Sequence, residues 1–472
     1  MIRRKTVLLL SAFAAFVLSC CPRGGNSGFY EADALCFNAS ARDWVMGTGR
    51  LYPETVPAPP AAPKGYVPVY LSHYGRHGSR YMDGKNGYGL VSEVLRRAAA
   101  DGRLTPLGKD IWAKYSSALP YLSGRIGELT PLGALQQRQI ARRMVDNYPR
   151  LFRKGARVVA NSTNLERTML SMCNFNQALL QSHPWLDIHA DAGRLMMGHI
   201  NQHSPENPKV TPEDVQWKSA DAPWRPEFDR YCGRLLHWEA FCSMLFDDME
   251  YVRSICDPVR FERDYFAVAK NLPSCPVEDC GLFWAVPEEE QELLGRLENY
   301  TFYVEKSLWP GGNGRGCYLS EAVLGDIMAH VAEDLRDGVN VRLRFGHDGC
   351  IMALFALMGL YGWSDVPEDP ERAWEYWDVS RIPMACNFQL VFFAPRRSAA
   401  KPVEEELLVM MMLNEEPVAL PLKELPASGR HEYVAPGAAS VRRNGSGPYY
   451  RWSDFVEHYT PILDNARMHL AQ

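Results

Sequence analysis

Beyond its N-terminal segment the chain has no apolar run long enough to cross a membrane as a helix, which takes about 20 consecutive apolar residues. Nor does it have an excess of positive charge. The formal net charge is −5. Loss of Arg3, Arg4 and Lys5, which no acid in that segment offsets, would make it three units more negative. That excludes a global nucleic-acid binder, though not a local basic pocket for a polyphosphate. There is no H-E-x-x-H metal signature. His199 and His203 have i, i+4 spacing without a Glu between them, Asn201, Ser204 and Pro205 point to a turn, and His183 and His189 are simply near in sequence. The glycine-rich stretch from Gly311 to Gly316 lacks the Lys-Ser/Thr ending of a P-loop and reads as a flexible loop before Ser320-Glu321 opens a helix. No internal repeat or low-complexity tract is present, which excludes a repeat array.

The N-terminus sets an address. Arg3, Arg4 and Lys5 precede a short apolar segment, Val7 to Leu18, which is too short to span and fits a secretory signal. It ends in Val17-Leu18-Ser19-Cys20, similar to a bacterial lipoprotein signal with cleavage before Cys20. An ordinary signal peptide with an incidental Cys20-Cys21 pair is the other reading. Lipid on Cys20 would anchor the exported domain to a membrane surface, in the periplasm or at the cell surface. Pro22 to Ser27 reads as a flexible tether, and Pro53 to Pro63 as an extended lead-in.

The residues that carry chemistry fall in three blocks. The first is Tyr74-Gly75-Arg76-His77-Gly78-Ser79-Arg80, after the apolar run Val67 to Leu71, which reads as a buried strand. Arginine offers planar, paired donors to phosphate oxygens, and a neutral imidazole can attack phosphorus. Gly78 is expected where the backbone must approach a ligand closely. The second block is Arg342 to Gly349. A strand over Val339 to Phe345 ends at Gly346, His347-Asp348 follow, and Ile351 to Leu360 reads as a buried helix. Ligands of open α/β sheets bind at such carboxyl ends, where the next helix also aims its N–H groups. Alone, His347 reads as a core histidine and Asp348 as an N-cap. The third block is a short strand, Arg157 to Ala160, then Asn161 to Thr168, with Arg167 one turn into a helix.

Together these blocks resemble the histidine acid phosphatases, a branch of the histidine phosphatase superfamily that pairs R-H-G-x-R near the start with H-D or H-A-E near the end. An intermediate S-T-x-x-x-R-T-like stretch is matched by Ser162 to Thr168. Within that branch the chain is most similar to the multiple inositol polyphosphate phosphatases, through Leu129-Thr130-Pro131-Leu132-Gly133, the Phe345-Gly346-His347 block, Leu357-Met358-Gly359 and Ile382 to Asn387. The resemblance spans about Gly65 to Pro395. It implies an α/β fold with a three-layer, mostly parallel sheet, a phosphoglycerate-mutase-like core, and an inserted helical subdomain. This chain has His347-Asp348-Gly349 where that branch commonly has H-A-E, so the proton donor would be Asp348 and substrate preference does not carry over directly.

The expected chemistry is phosphomonoester hydrolysis. Neutral His77 attacks phosphorus in line; Arg76, Arg80, Arg167 and a protonated His347 hold the equatorial oxygens; Asp348 protonates the leaving alkoxide and then activates water. Neighbouring guanidinium charge lowers the pKa of His77, and the approaching phosphate raises that of Asp348, so the optimum is expected on the acidic side. No cofactor and no metal is expected. The expected partner is a phosphorylated, polyanionic small molecule, with inositol polyphosphates ahead of sugar phosphates or general phosphomonoesters. A phosphomutase and a non-catalytic polyanion-binding lipoprotein are the other classes.

For organisation, the signal occupies 1–19, tether and lead-in 20–63, the first part of the core 64–180, a mainly helical insert 181–338 and the second part of the core 339–472. Helices are expected over Glu227 to Arg253, Pro258 to Lys270, Glu288 to Leu308, Ser320 to Arg336 and Trp452 to Ala466, and strands over Gln389 to Phe393 and Glu406 to Met411. The insert and the loop Asp83 to Tyr88 are expected to line the pocket, with Lys85 a candidate phosphate contact. An exported compartment permits disulfides, and Cys275 and Cys280 are close enough to pair; Cys350 and Cys386 read as buried thiols.

Overall fold

The computed structural model describes residues 41–83, 87–312, 314–422 and 449–472. The signal segment, Cys20, the tether and Lys85 lie outside the described residues. No helix among the described residues is long and apolar enough to cross a membrane.

The chain builds one mixed sheet from β1 (Tyr66–Arg76), β2 (Arg157–Ser162), β3 (Asp187–Ala192), β4 (Val339–Gly346), β5 (Asn387–Pro395), β6 (Leu408–Leu413) and the short β7 (Glu416–Pro417) and β8 (Tyr450–Arg451). The strand order is β3-β2-β4-β1-β5-β6-β7, with β8 pairing β6. The first four strands in that order run parallel, and β5 to β8 add antiparallel neighbours. Parallel strands buried on both faces read as near-continuous apolar runs, which is how β1 announced itself.

Successive side chains of a strand point to opposite faces, and here both faces are covered. Val391 and Phe393 of β5 join Leu343 of β4 in a core with Ile140, Phe175 and Leu179 from the helices Pro131–Asn147 and Glu166–Ser182. Leu390 and Phe392 face a second, larger core with Ile351 and Phe355 of the helix Asp348–Met358 and Trp452 of the helix Trp452–Leu470. The result is the expected three-layer α/β arrangement. Two arginines of β4 are structural. Arg342 pairs with Asp334 at 2.6 Å and Arg344 with Asp326 at 2.6 Å, which fastens the helix Glu321–Asp337 to the sheet.

The region 181–338 departs from the expectations in three ways. It opens with β3, an edge strand that the sequence reading did not anticipate. The helix expected over Glu227 to Arg253 is three: Arg225–Leu235, Trp238–Leu245 and Met249–Ile255. The last begins where the Asp248 carboxylate accepts the N–H groups of Glu250 and Tyr251, a cap that stops one helix from running into the next. The helices Pro258–Asn271, Glu288–Lys306 and Glu321–Asp337 lie close to their expected places. The stretch around Gly311 holds a 3₁₀ turn and the short helix Arg315–Tyr318 rather than only a loop. Cys275 and Cys280, close enough in sequence to pair, are both free thiols, and the Cys275 sulfur contacts Tyr88 and Asn271. Cys350 and Cys386 are buried as expected.

Candidate active site

The registers line up the carboxyl ends of three parallel strands. Arg76 of β1 stands beside Gly346 of β4, and Ser162 of β2 beside Phe345. The antiparallel β5 starts at the same edge, with Asn387 opposite Gly75. Every block singled out in the sequence therefore reaches one place. His77 follows β1, Arg167 sits in the first turn of the helix after β2, and His347 is the N-cap of the helix that begins at Asp348. Arg76, His77, Arg80, Arg167, His347 and Asp348 converge there, and the charges of all three arginines act on the His77 ring.

Backbone bonds hold the nucleophile loop. The His77 N–H donates to the Gly346 carbonyl at 3.1 Å, and the Ala385 N–H donates to the His77 carbonyl at 3.1 Å. Ala385 adopts φ +58°, left-handed backbone that places this N–H. The Leu129 to Gly133 motif packs directly beneath. Thr130 donates from both its N–H and its hydroxyl to the Ser79 carbonyl and caps the helix by accepting the Gly133 N–H. A Cβ on Gly78 would stand 2.3 Å from the Gly133 carbonyl oxygen, and one on Gly133 would stand 2.2 Å from that of Ser79. Gly78 is thus required by helix-to-loop packing, a reason the sequence reading did not foresee. Gln136 and Gln137, one turn on from Gly133, accept from the Ser79 N–H and donate to the Arg76 carbonyl. The sequence reading passed over both, although their spacing from Gly133 puts them on the face that meets the loop.

His77 is buried, with 2% of its surface exposed. Its Nδ1 lies 2.9 Å from the Gly78 carbonyl, a partner that can only accept. Nδ1 therefore carries the hydrogen, which leaves the Nε2 lone pair free for attack. Burial first, then the charges of Arg76, Arg167 and Arg80, hold the His77 pKa well below the ordinary imidazole range. The neutral form expected of it prevails, with desolvation ahead of the arginines as the cause.

His347 is a correction. Burial and then the Arg167 charge push its pKa down to about 3, outweighing nearby Asp348, so in the unliganded site it is neutral rather than protonated. Its Nε2 lies 3.3 Å from the Thr163 hydroxyl, which in turn lies 2.6 Å from that of Thr168. The Ser162 to Thr168 stretch thus supplies Arg167 and also orients His347. The His77 and His347 rings are 5.8 Å apart.

Asp348 accepts the Gly349 N–H at 2.7 Å and sits 2.7 Å from Arg76 Nη2. Burial would raise its pKa, but the charges of Arg76 and Arg80 prevail and hold it down at about 2. Its side chain keeps 22% of its surface open.

The arginines are only partly satisfied. Arg76 gives Nη1 to the carbonyls of Thr48 and Ile382, at 2.8 and 2.9 Å. Arg80 bonds the Tyr81 carbonyl and pairs with Asp83 at 3.1 Å, and Arg167 meets the same carboxylate at 3.7 Å. The Nε–H of each of the three is buried and has no partner. Buried donors are normally paired, so three orphans at one spot mark where an acceptor with several oxygens fits. Asp83, which balances two of the arginines, carried no sequence signal beyond its place near them.

A cleft of about 350 Å³ opens over Arg76 and Arg80 and is lined also by Asp83 and by Arg263, Lys270 and Glu298 of the insert. Lys270 is paired with Glu298, which also accepts the Thr48 hydroxyl at 2.6 Å. The expectation that the insert lines the pocket holds for these residues. The expected role for Lys85 lies outside the described residues.

Residues 75–220 match the family model of the histidine phosphatase superfamily, branch 2. That match includes Arg76, His77, Arg80 and Arg167 and supports a phosphatase. His347 and Asp348 lie beyond it and are joined to the others by the fold. A comparison with curated protein sequences finds no match. Among solved structures, the multiple inositol polyphosphate phosphatase of Bifidobacterium longum in complex with inositol hexasulfate aligns at TM-score 0.68 and 14% identity, over 88% of this chain and 97% of that one. Its phosphate complex aligns at TM-score 0.66 and 15% identity, over 89% and 98%. The phytase of D. castellii aligns at TM-score 0.56 and 11% identity, over 90% and 85%. These likenesses establish the shared α/β fold with its helical insertion.

Proposed function

We propose that this chain is a phosphomonoesterase that works through a phosphohistidine at His77, with inositol polyphosphates as its leading substrate class. The observation that carries the proposal is the set of three buried, partnerless guanidinium N–H groups around an imidazole whose Nε2 lone pair is free. A phosphate seated there satisfies Arg76, Arg80 and Arg167 at once and presents phosphorus to Nε2. Attack forms the N–P bond as the P–O bond to the leaving alkoxide breaks. Asp348, protonated on substrate arrival, gives that alkoxide its proton, and as a carboxylate it then draws a proton from the water that cleaves the N–P bond. His347 contributes its imidazole N–H to an equatorial oxygen. The guanidinium groups supply the positive charge of the step, so no metal is invoked.

Inositol polyphosphates are favoured by the resemblance of the motifs and by the cationic residues of the insert that line the cleft. Sugar phosphates and general phosphomonoesters are the second reading, since Asp348-Gly349 replaces the H-A-E pattern. Export with lipid on Cys20 remains part of the proposal. Its check is membrane partitioning of wild type against Cys20→Ser.

The functional test is phosphate release from inositol hexakisphosphate and p-nitrophenyl phosphate in EDTA at mildly acidic pH, with His77→Ala alongside. Turnover that His77→Ala abolishes, with phosphate trapped on the wild-type chain after an alkaline quench that preserves the N–P bond, is the expected result. A folded wild type inert toward both would move the assignment to a polyanion-binding lipoprotein.

A further inference from the structure

The cleft beside the nucleophile contains a carboxylate, Glu298, that the mechanism above does not use. Left unpaired there, a negative charge would oppose phosphate binding. Glu298 stands on the helix Glu288–Lys306, three residues after Gly295, and both meet the same upstream segment of the chain. The short helix Ala41–Met46 lays the Trp44 ring on Gly295, where a Cβ would come 2.7 Å from it. Gly47 follows with φ +51°, left-handed backbone, and the Glu298 carboxylate leaves no room for a Cβ on it. Thr48 then donates its N–H and its hydroxyl to Glu298 Oε1, at 3.1 and 2.6 Å. Lys270, from the last turn of the helix Pro258–Asn271, pairs with the same carboxylate and neutralises it.

These bonds hold a carbonyl in place. With its two donors on Glu298, Thr48 gives its own carbonyl to Arg76 Nη1 at 2.8 Å. Two residues on, the Arg50 carbonyl accepts the Met384 N–H at 2.8 Å, next to the Ala385 N–H that donates to the His77 carbonyl. The segment 44–50 is thus a strap from the insert to the support of the nucleophile loop, and its Thr48 and Gly49 line the cleft. Arg76 is divided among three tasks. Nη1 is held by the carbonyls of Thr48 and Ile382, Nη2 meets Asp348 at 2.7 Å, and the Nε–H is buried without a partner. A guanidinium is a rigid plane, so fixing two of its nitrogens fixes the direction of the third.

We infer that Glu298 is a positioning residue for Arg76. It clamps Thr48 so that the Thr48 carbonyl stays on Nη1, which keeps Nη2 on Asp348 and aims the Nε–H at the phosphate on His77. The inference rests on the phosphatase reading. It makes the strap, which precedes the first strand of the sheet, a working part of the active centre, and it gives Glu298 no contact with substrate.

The test measures kcat and KM for p-nitrophenyl phosphate in wild type, Glu298→Ala, Glu298→Gln, Thr48→Val and the Thr48→Val/Glu298→Ala double variant, each checked for native circular dichroism. Glu298→Ala is expected to lower kcat about 10–100-fold, the scale of a misplaced transition-state contact, without a rise in KM. Glu298→Gln should regain most of that loss, because its amide oxygen still accepts from Thr48. Thr48→Val, which lacks one of the two donors, should lower kcat several-fold alone and add little in the double variant. Wild-type kcat in folded Glu298→Ala, at whatever melting temperature, overturns the clamp, as does a Glu298→Gln no better than Glu298→Ala. If Glu298→Ala does not fold, an unchanged kcat in Thr48→Val overturns it. A wild type inert toward the substrate removes instead the reading on which the clamp rests.

Discussion

Arg76 Nη2 and Asp348 Oδ2 stand 2.7 Å apart in the unliganded site, which makes the group assigned to proton donation a carboxylate down to about pH 2. The proton must then arrive with the substrate. A phosphomonoester carries one below its second pKa, about 6. We expect kcat/KM to fall as pH rises through about 6, following the substrate and not Asp348. A profile flat to pH 9 would remove Asp348 as donor. Asp348→Asn should lower kcat by about 10²–10⁴-fold for alkyl phosphates, and far less for p-nitrophenyl phosphate, whose leaving group needs little help.

The same pair makes a stability prediction. The folded pKa of Asp348 lies below the unfolded value of about 3.9, so its contribution is full above that value and fades as pH falls toward 2. Wild type should lose roughly 2 kcal/mol more than Asp348→Asn between pH 5 and pH 2, read from urea titrations at each pH.

Arg167 meets Arg80 as a like charge and keeps its Nε–H buried and unpaired. Arg167→Met should therefore raise the melting temperature of the free protein while weakening phosphate binding. Inorganic phosphate at about a hundred times its Kd adds about 2.7 kcal/mol to wild type, a rise of several degrees that the variant should largely lose. Scanning calorimetry with and without phosphate decides it. A variant less stable than wild type, with the phosphate shift intact, contradicts the assignment.

Gly78→Ala tests the packing beneath the nucleophile. The new methyl would stand 2.3 Å from the Gly133 carbonyl, so the loop or the helix start must move, at a cost of about 1–3 kcal/mol. Activity should drop with stability, because the shift carries His77. Full activity with an unchanged melting temperature would show that the contact relaxes freely.

What the sequence revealed and what it hid follow from range. The Arg76-His77 and His347-Asp348 blocks were legible because their residue types have few other reasons to occur at strand ends. β3 was hidden because Asp187-Ile188-His189-Ala190-Asp191-Ala192 is an exposed edge whose pairing with β2 supplies what its composition does not. The protonation of His347 was misjudged because burial outweighs attraction to Asp348, and that burial comes with packing that brings Thr163, 184 residues away in sequence, to the ring. The free Cys275 turned on contacts with Tyr88 and Asn271, neither foreseeable from a five-residue spacing.

The central position of β1 has a consequence for how the chain comes together. Its two neighbours, β4 and β5, begin at Val339 and Asn387, and the Arg76 guanidinium is tied to Thr48 on one side and Ile382 on the other. Loops of such span close late and slowly. A growing chain holds β1, buried along most of its length in the folded sheet, without partners until most of the polypeptide has emerged. Such a chain should depend on holding chaperones during synthesis, and truncation before β5 should yield aggregate rather than a weakened enzyme.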